Sequence, residues 1–167
     1  MEITHSLLSK VWEKGYCNDN NHHHSEQYQE TLRKTYCLQW IHLKNTTYIS
    51  HRFNQDEVKN LIEAGKVCTY RGKRSYLFID ELESIEKNWQ WKSDNGYFIR
   101  LDSCSPKDSP LGVGPVFDSR GVIDRIITSS RCVQSLEKGD EPIVILIPWN
   151  SEINISNEFR CFFIIRA

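Results

Sequence analysis

The amino-acid sequence predicts a mixed α+β fold. Three short segments, residues 97–101, 143–147 and 159–165, are rich in β-branched and aromatic residues and have the length of strands. Between and before them, apolar residues recur every three or four positions, which is typical of amphipathic helices. Because helical and strand segments are intermixed along the chain, the sequence predicts the α+β class.

The first 50 residues carry the least regular pattern. A polar stretch at residues 18–25 predicts a loop between two segments of mixed pattern. Aromatic and aliphatic residues then recur every four positions from Tyr28 to Trp40, which favours a helix. Residues 36–43 are nevertheless aromatic and β-prone enough to form a strand, so both alternatives stay open for that segment.

The middle of the chain predicts a helix followed by a hairpin. Asn54 is a good amino-terminal cap for an amphipathic helix, and Gly65 is expected to end that helix. Residues 67–70 and 75–79 flank a short turn that contains Gly72, which is the pattern of two strands joined as a β-hairpin.

The carboxy-terminal half predicts helices that alternate with strands. Pro, Gly and Ser residues concentrate in residues 102–115, which predicts a loop. Ser119 is expected to cap one continuous helix that ends before Gly139. In order, the predicted elements are a helix at residues 82–89, a strand at 97–101, the loop, the helix after Ser119, and strands at 143–147 and 159–165.

Length, charge and composition exclude several classes of protein. The 167 residues carry 21 Lys and Arg against 22 Asp and Glu, so a formal charge of −1 provides no general attraction for nucleic acid. The longest aliphatic run, residues 143–147, is far shorter than the roughly 20 residues of a membrane helix, and the first residues lack a signal-peptide pattern. The sequence predicts a cytoplasmic protein with no nucleic-acid or membrane partner.

The cysteines do not predict a disulfide framework or a metal site. Successive cysteines lie 20 to 36 residues apart, so we expect reduced, mostly buried thiols. Cys17 with His22 and Cys37 with His42 repeat one spacing, and a zinc site can be drawn from them. That spacing does not match the common zinc motifs, so no metal is expected. The six cysteines are Cys17, Cys37, Cys68, Cys104, Cys132 and Cys161.

Two charged residues stand out near the strand at residues 97–101. Period-2 alternation puts Arg100 on the face opposite Ile99 and Leu101, so a charge lies inside a sheet. The loop after it carries Lys107 among small residues with many backbone N–H groups. Loops that bind phosphate have this composition. A solvated turn would have the same composition, so the residues alone leave both interpretations open.

Two later segments offer further candidates. Alternation places Glu158 and Arg160 on the same side of the last strand, as in a pocket wall or a salt-bridged strand end. The aliphatic strand at residues 143–147 runs into Pro148 and Trp149, which could present backbone groups and a flat wall to a purine. Many core strands end in the same kind of sequence without binding any ligand.

Taken together, these stretches resemble the cell division cycle protein 123 family, whose members have an ATP-grasp fold. One family motif is matched by Phe98-Ile99-Arg100 followed by Ser105-Pro106-Lys107-Asp108. The second, an aliphatic strand ending in tryptophan and followed shortly by Glu-Phe-Arg-Cys-Phe, is matched by residues 144–149 and 158–162. The resemblance covers residues 96–167 as an ATP-grasp-like core and leaves residues 1–95 as a divergent amino-terminal α+β part.

The resemblance implies an ATP molecule held between two lobes by a defined set of residues. Arg100, with Lys107 nearby, would face the phosphates, and the hinge from Ile147 to Trp149 would supply backbone contacts to adenine. Arg160 with Glu158 would project toward the triphosphate. The implied ATP-binding residues are Arg100, Lys107, Asp108, Ile147, Trp149, Glu158 and Arg160. Members of the family are assembly chaperones of translation initiation factor 2, so the implied partner is its gamma subunit.

This sequence also departs from the family pattern. Ile147 and Pro148 stand where family members often have a basic residue before the hinge tryptophan. The family's magnesium ligands lie on later strands, and the chain ends five residues after Phe162, so the core is expected to be truncated before the metal-binding strands. Magnesium is expected only where that second lobe exists, and nothing in the 167 residues predicts catalysis. The alternative is a non-catalytic interaction module that has lost ATP.

Overall fold

The computed structural model describes residues 26–44 and 47–152. The chain divides into two compact units, Met1–Lys34 and Thr35–Ala167. Helix α1 (Glu26–Arg33) belongs to the first unit, and every other element described below belongs to the second. The loop predicted at residues 18–25 and the strand predicted at residues 159–165 lie outside the described residues.

In the described part of the second unit, four strands form one antiparallel sheet. The central strand β4 pairs with β1 on one side and β2 on the other, and β3 lies at the edge beside β2. The strands predicted at residues 97–101 and 143–147 are confirmed, whereas β1 and β3 were not predicted. The α+β class is confirmed as well. The strands are β1 (Ile49–Arg52), β2 (Lys92–Leu101), β3 (Val116–Asp118) and β4 (Ile143–Pro148).

Helix α3 (Gln55–Arg71) begins with a capping box. Asn54 Oδ1 accepts a hydrogen bond from the Glu57 N–H, and Glu57 Oε2 accepts one from the Asn54 N–H, each at 2.9 Å. The helix continues through Gly65 and stops at Gly72, whose φ of +67° is the left-handed conformation that glycine adopts most easily. The predicted cap is confirmed, and the predicted end at Gly65 is wrong.

The β-hairpin predicted between residues 67 and 79 is also wrong. Residues 67–71 complete α3, a 3₁₀ turn occupies Tyr76–Phe78, and helix α4 (Ile79–Asn88) follows directly. The β-prone composition is outweighed because Cys68, on the inner face of the helix, is fully buried in the core. The short helix predicted at residues 82–89 is confirmed as α4.

The helix predicted after Ser119 is divided into α5 (Ser119–Thr128) and α6 (Ser130–Glu137). Ser129 lies between them in an extended conformation, with φ −98° and ψ 114°. Its Oγ accepts a hydrogen bond from the Cys132 N–H at 3.2 Å, so Ser129 caps the second helix. A serine that competes with the backbone for hydrogen bonds explains why the apolar periodicity continues while the helix does not.

The amino-terminal cap of α5 also differs from the prediction. Asp118 Oδ1 accepts a hydrogen bond from the Gly121 N–H at 2.7 Å, so Asp118 rather than Ser119 is the cap. Ser119 is instead the first residue of the helix and is buried. Both residue types are good caps, and the two residues are adjacent in the sequence.

The main core lies between one face of the sheet and helices α3 to α6. Leu61 of α3, Ile99 of β2 and Leu146 of β4 are buried in this single cluster. Residues on both sides of position 95 therefore share one core. The cluster also contains Leu82 and Ile85 of α4, Val122, Ile123, Ile126 and Ile127 of α5, and Cys132 and Leu136 of α6.

A smaller core covers the opposite face of the sheet. Helix α2 (Cys37–Trp40) and the 3₁₀ turn Ile41–Lys44 place Cys37 and Ile41 against Ile145 of β4. The segment that the sequence left open between helix and strand is therefore helical from Cys37 onward. No helix in the described part of the chain is long and apolar enough to cross a membrane.

Candidate functional site

The candidate site is built around the loop at residues 102–115, between β2 and β3. Ile99 and Leu101 of β2 are buried in the main core, which fixes the strand that leads into this loop. At the other end, β3 is three residues long, and its last residue, Asp118, is the amino-terminal cap of α5. The loop is thus held between a core strand and the start of a core helix.

Arg100 lies on the face of β2 away from the main core, as the alternation predicts. Its Nε donates a hydrogen bond to the Leu101 carbonyl at 3.0 Å, and a terminal nitrogen donates to the Asp102 carbonyl at 3.1 Å. The guanidinium carbon also lies 5.7 Å from the centre of the Trp40 ring, in a cation–π arrangement. The charge that the sequence placed inside the sheet is therefore held by backbone oxygens and an aromatic face.

Asp102 and Asp108 attach the loop to helix ends. The side chain of Asp102 accepts a hydrogen bond from the Leu38 N–H at 2.7 Å, and the Asp102 carbonyl accepts one from the Cys37 N–H. Asp108 accepts from Ser129 Oγ at 2.5 Å and from the Arg131 N–H at 3.1 Å. Both oxygens of Asp108, an implied ATP-binding residue, are therefore engaged at the start of α6.

Lys107 and Arg125 both line a small cavity under the loop. Lys107 is exposed, whereas the Arg125 side chain reaches from α5 into the cavity and the residue is only 9% exposed. The cavity volume is about 10 Å³, which is room for about one water molecule. Its remaining walls are Phe98, Ile99, Ser105, Pro106, Gly112 and Val113.

The buried guanidinium of Arg125 has only backbone acceptors in the described part of the chain. It donates hydrogen bonds to the carbonyls of Gly114 and Pro115, the latter at 3.4 Å. Burial lowers the pKa of Arg125 from its ordinary value, because the charged form loses its hydration. Among the described residues, no carboxylate forms an ion pair with this charge, so the cavity wall is electropositive.

Sequence reasoning did not find Arg125. The helix after Asp118 was interpreted through its aliphatic residues, and a single arginine between Ile123 and Ile126 has the appearance of a surface residue. The available signal was that Arg125 and Asp124 interrupt an apolar run, Val122–Ile123 and Ile126–Ile127, of a helix that had to pack against the loop. The distance of 18 positions between Lys107 and Arg125 in the sequence gives no hint that they line one cavity.

The segment expected to act as a hinge is paired with β2. Ile147 packs against the smaller core, and Tyr97 pairs with Pro148 at the end of the strand. The Trp149 N–H donates a hydrogen bond to the Gly96 carbonyl at 3.1 Å, so that donor is already used. Glu158 and Arg160 lie outside the described residues.

The cysteines in the described residues are free thiols, as the sequence predicts. Cys37, Cys68 and Cys132 are buried, and Cys104 is partly exposed. Of the zinc pattern considered from the sequence, Cys37 lies in the smaller core and His42 is exposed. Within residues 26–44 and 47–152, no group of three or more His, Cys, Asp or Glu side chains is arranged to hold a metal ion.

Comparisons with known proteins found no match for this chain among family models, curated proteins or solved structures.

Proposed function

We propose that this chain is an ATP-binding protein of ATP-grasp-like fold that resembles the cell division cycle protein 123 family. In this proposal it promotes the assembly of translation initiation factor 2 by binding the gamma subunit. The support lies in the two sequence motifs and in the electropositive cavity under the loop that carries one of them. The loop is the part of the molecule that receives the phosphates.

The observation that carries the proposal is the buried charge of Arg125. A guanidinium out of water is costly to hold unless anionic groups compensate it, and two carbonyl oxygens supply only partial charge. Arginine and lysine together bind phosphate oxygens well, since both charges strengthen the hydrogen bonds. Lys107 at the same cavity provides the second charge.

The loop has to open before it can accept a nucleotide. A cavity of about 10 Å³ is far smaller than the several hundred Å³ of a typical ligand site. Gly112 and Gly114 have no atoms within 4 Å of the position that a Cβ would take, so the tip of the loop is surrounded by open space. Movement of this tip would enlarge the cavity while Asp102 and Asp108 keep the first part of the loop in place.

Calorimetry on the full chain tests phosphate binding directly. Pyrophosphate, ADP and ATP are titrated with and without magnesium, and we expect ATP to bind with a Kd on the order of 0.1–1 mM. Lys107→Ala and Arg125→Lys should each weaken binding about tenfold, because the first removes a charge-assisted contact and the second keeps the charge but loses the planar, two-pronged donor group of arginine. Lys73→Ala is the matched control, since Lys73 is an exposed lysine in the turn after α3. Equal affinity of all four proteins would contradict the proposal.

A second candidate function is that of a protein-interaction module without ATP. It is favoured by the engaged groups at the expected site, above all the Trp149 N–H, and by an exposed apolar segment that begins in the last turn of α3. In that segment Tyr70 is 94% exposed, Tyr76 71% and Leu77 60%, which is unusual for side chains of this size. This alternative would be supported over the first if the chain binds the purified gamma subunit but binds neither ATP nor pyrophosphate.

A further inference from the structure

Two cysteine thiols lie side by side next to the candidate loop. The Sγ atoms of Cys104 and Cys132 are 3.9 Å apart. Cys104 is partly exposed and lies near the start of the loop, whereas Cys132 is fully buried in the first turn of α6. Neither thiol has a part in the proposed binding of phosphate, so their proximity needs a separate explanation.

The geometry is close to that of a dithiol that can be oxidised. A disulfide has an S–S distance of about 2.05 Å, so the sulfurs would have to approach by roughly 1.9 Å. Cys132 is fixed by its helix, where its N–H donates to Ser129 Oγ at 3.2 Å. Cys104 belongs to an irregular segment outside the helices and strands, which can supply most of the movement.

The two thiols are also electrostatically different. The hydrogen bond between the two thiols lowers the pKa of Cys104 to about 7, against the opposing effect of burial, and Ser103 and Arg131 add to the lowering. The pKa of Cys132 is raised by that same hydrogen bond and by its deeper burial. Cys104 is thus the thiol that ionises near neutral pH, and Cys132 is the thiol held protonated beside it.

We propose that Cys104 and Cys132 form a reversible dithiol–disulfide pair that is oxidised by hydroperoxides. The Cys104 thiolate attacks the terminal peroxide oxygen, the O–O bond breaks, and the alkoxide leaves, or hydroxide where the oxidant is hydrogen peroxide, which gives a sulfenic acid on Cys104. The Cys132 thiol then attacks this sulfur, a disulfide forms, and the sulfenic oxygen leaves as water with the thiol proton. The peroxide is reduced by two electrons, and a dithiol returns both thiols to the reduced state.

Peptide mapping of the full chain tests the proposal. The folded, reduced protein is treated with hydrogen peroxide, free thiols are alkylated, and the chain is digested with trypsin without reductant. We expect the peptides of residues 101–107 and 132–138 to be joined, with the loss of two hydrogen atoms, and dithiothreitol to separate them. A folded chain in which Cys104 becomes sulfinic acid without this link, or in which other cysteine pairs dominate, would overturn the proposal.

Three variants separate the roles of the two thiols. Cys132→Ser should leave a sulfenic acid on Cys104 that a cyclic 1,3-diketone traps, and Cys104→Ser should slow oxidation of Cys132 at least tenfold because that thiol is buried. Cys68→Ala is the matched control and should leave the link unchanged, since Cys68 is a buried thiol elsewhere in the core. The map of the wild-type chain decides the proposal even where a variant fails to fold.

Discussion

At the scale of single residues, Arg74 connects parts of the chain that are far apart in sequence. Its guanidinium forms ion pairs with Glu86 of α4 and with Asp124 of α5, the latter at 2.6 Å, and its side chain is only 12% exposed. The sequence placed Arg74 in the turn of a hairpin and predicted no partner for it, because partners 12 and 50 residues away cannot be recognised from local pattern. The turn is present, but the Arg74 side chain is buried and connects it to α4 and α5.

We therefore expect Arg74→Ala to destabilise the protein by about 3 kcal/mol, because it leaves two carboxylates without their shared partner. Arg120→Ala is the matched control: Arg120 approaches the same Asp124 only to 4.0 Å and its side chain is 64% exposed. That substitution should change the free energy of unfolding by less than about 0.5 kcal/mol. Urea denaturation measures both, and equal effects would show that the Arg74 ion pairs do not stabilise the fold.

His51 makes the stability of the protein depend on pH. Burial lowers its pKa, against a smaller opposing effect of Glu57, and its ring stacks on Trp89 with centroids 4.4 Å apart. Its Nε2 is buried and has no hydrogen-bond partner among the described residues. The native state therefore binds this proton less readily than the unfolded chain does, and stability is lost as the pH falls below about 6.5.

The test compares the wild-type chain with His51→Phe, which keeps an aromatic ring in the stack. Melting temperatures are measured from pH 8 to pH 5, and we expect the wild type to lose stability relative to the variant as the pH falls. His42→Gln is the control, because His42 is exposed. A difference between wild type and His51→Phe that stays constant over this range would contradict the assignment.

At the scale of elements, the sequence predicted best where one strong local signal decides the structure. The aliphatic run of β4 and the capping box of α3 are of this kind. It failed where tertiary contacts decide, as in the segment after Gly65, whose β-prone residues are held in a helix by burial, and at Ser129, which interrupts an unbroken apolar pattern. The short strands β1 and β3 exist only as partners of longer ones.

Gly65 was expected to end a helix, but it permits close packing of two. A Cβ at this position would lie 2.4 Å from Cγ2 of Val133 in α6, which is closer than any side chain can pack. Gly65→Ala should destabilise the protein by about 1–3 kcal/mol through overpacking, despite the better helix propensity of alanine. In a Val133→Ala background the clash is removed, so the same substitution should be neutral or stabilising. Urea denaturation of the four proteins measures this coupling.

At the scale of the whole molecule, the loop that carries the candidate site could be predicted, whereas the residues that pack against it could not. The Gly, Pro and Ser residues predicted a loop at residues 102–115, which is confirmed, because they fit a loop in any fold; that this loop and Lys107 bind phosphate stays a prediction. The sequence could not identify Arg125 or the engagement of Asp108, since both depend on how α5 and α6 pack against the loop. The side of a strand can be predicted from alternation, whereas the partner on that side cannot, as Arg100 over Trp40 illustrates.

The sheet has a large core on one face and a small one on the other, and the two should differ in stability. The smaller core depends on α2, whose first N–H groups are bonded by Asp102, a residue that is 5% exposed. Asp102→Ala removes the side-chain acceptor of the Leu38 N–H and leaves this donor unpaired, whereas Asp102→Asn keeps an oxygen there. We expect the alanine variant to loosen residues 37–44 while the main core stays folded.

Hydrogen exchange measured by mass spectrometry separates this local effect from global unfolding. In Asp102→Ala, amides of residues 37–41 should exchange about tenfold faster than in the wild type, which corresponds to a loss of roughly 1.4 kcal/mol of local stability. Amides of β4 and α5 should keep nearly the protection of the wild type, because α5 and the Val144 and Leu146 side chains of β4 belong to the main core. In Asp102→Asn, the exchange rates of residues 37–41 should lie between those of the wild type and those of Asp102→Ala. Equal acceleration across α2, β4 and α5 would mean that the two faces of the sheet unfold as one cooperative unit.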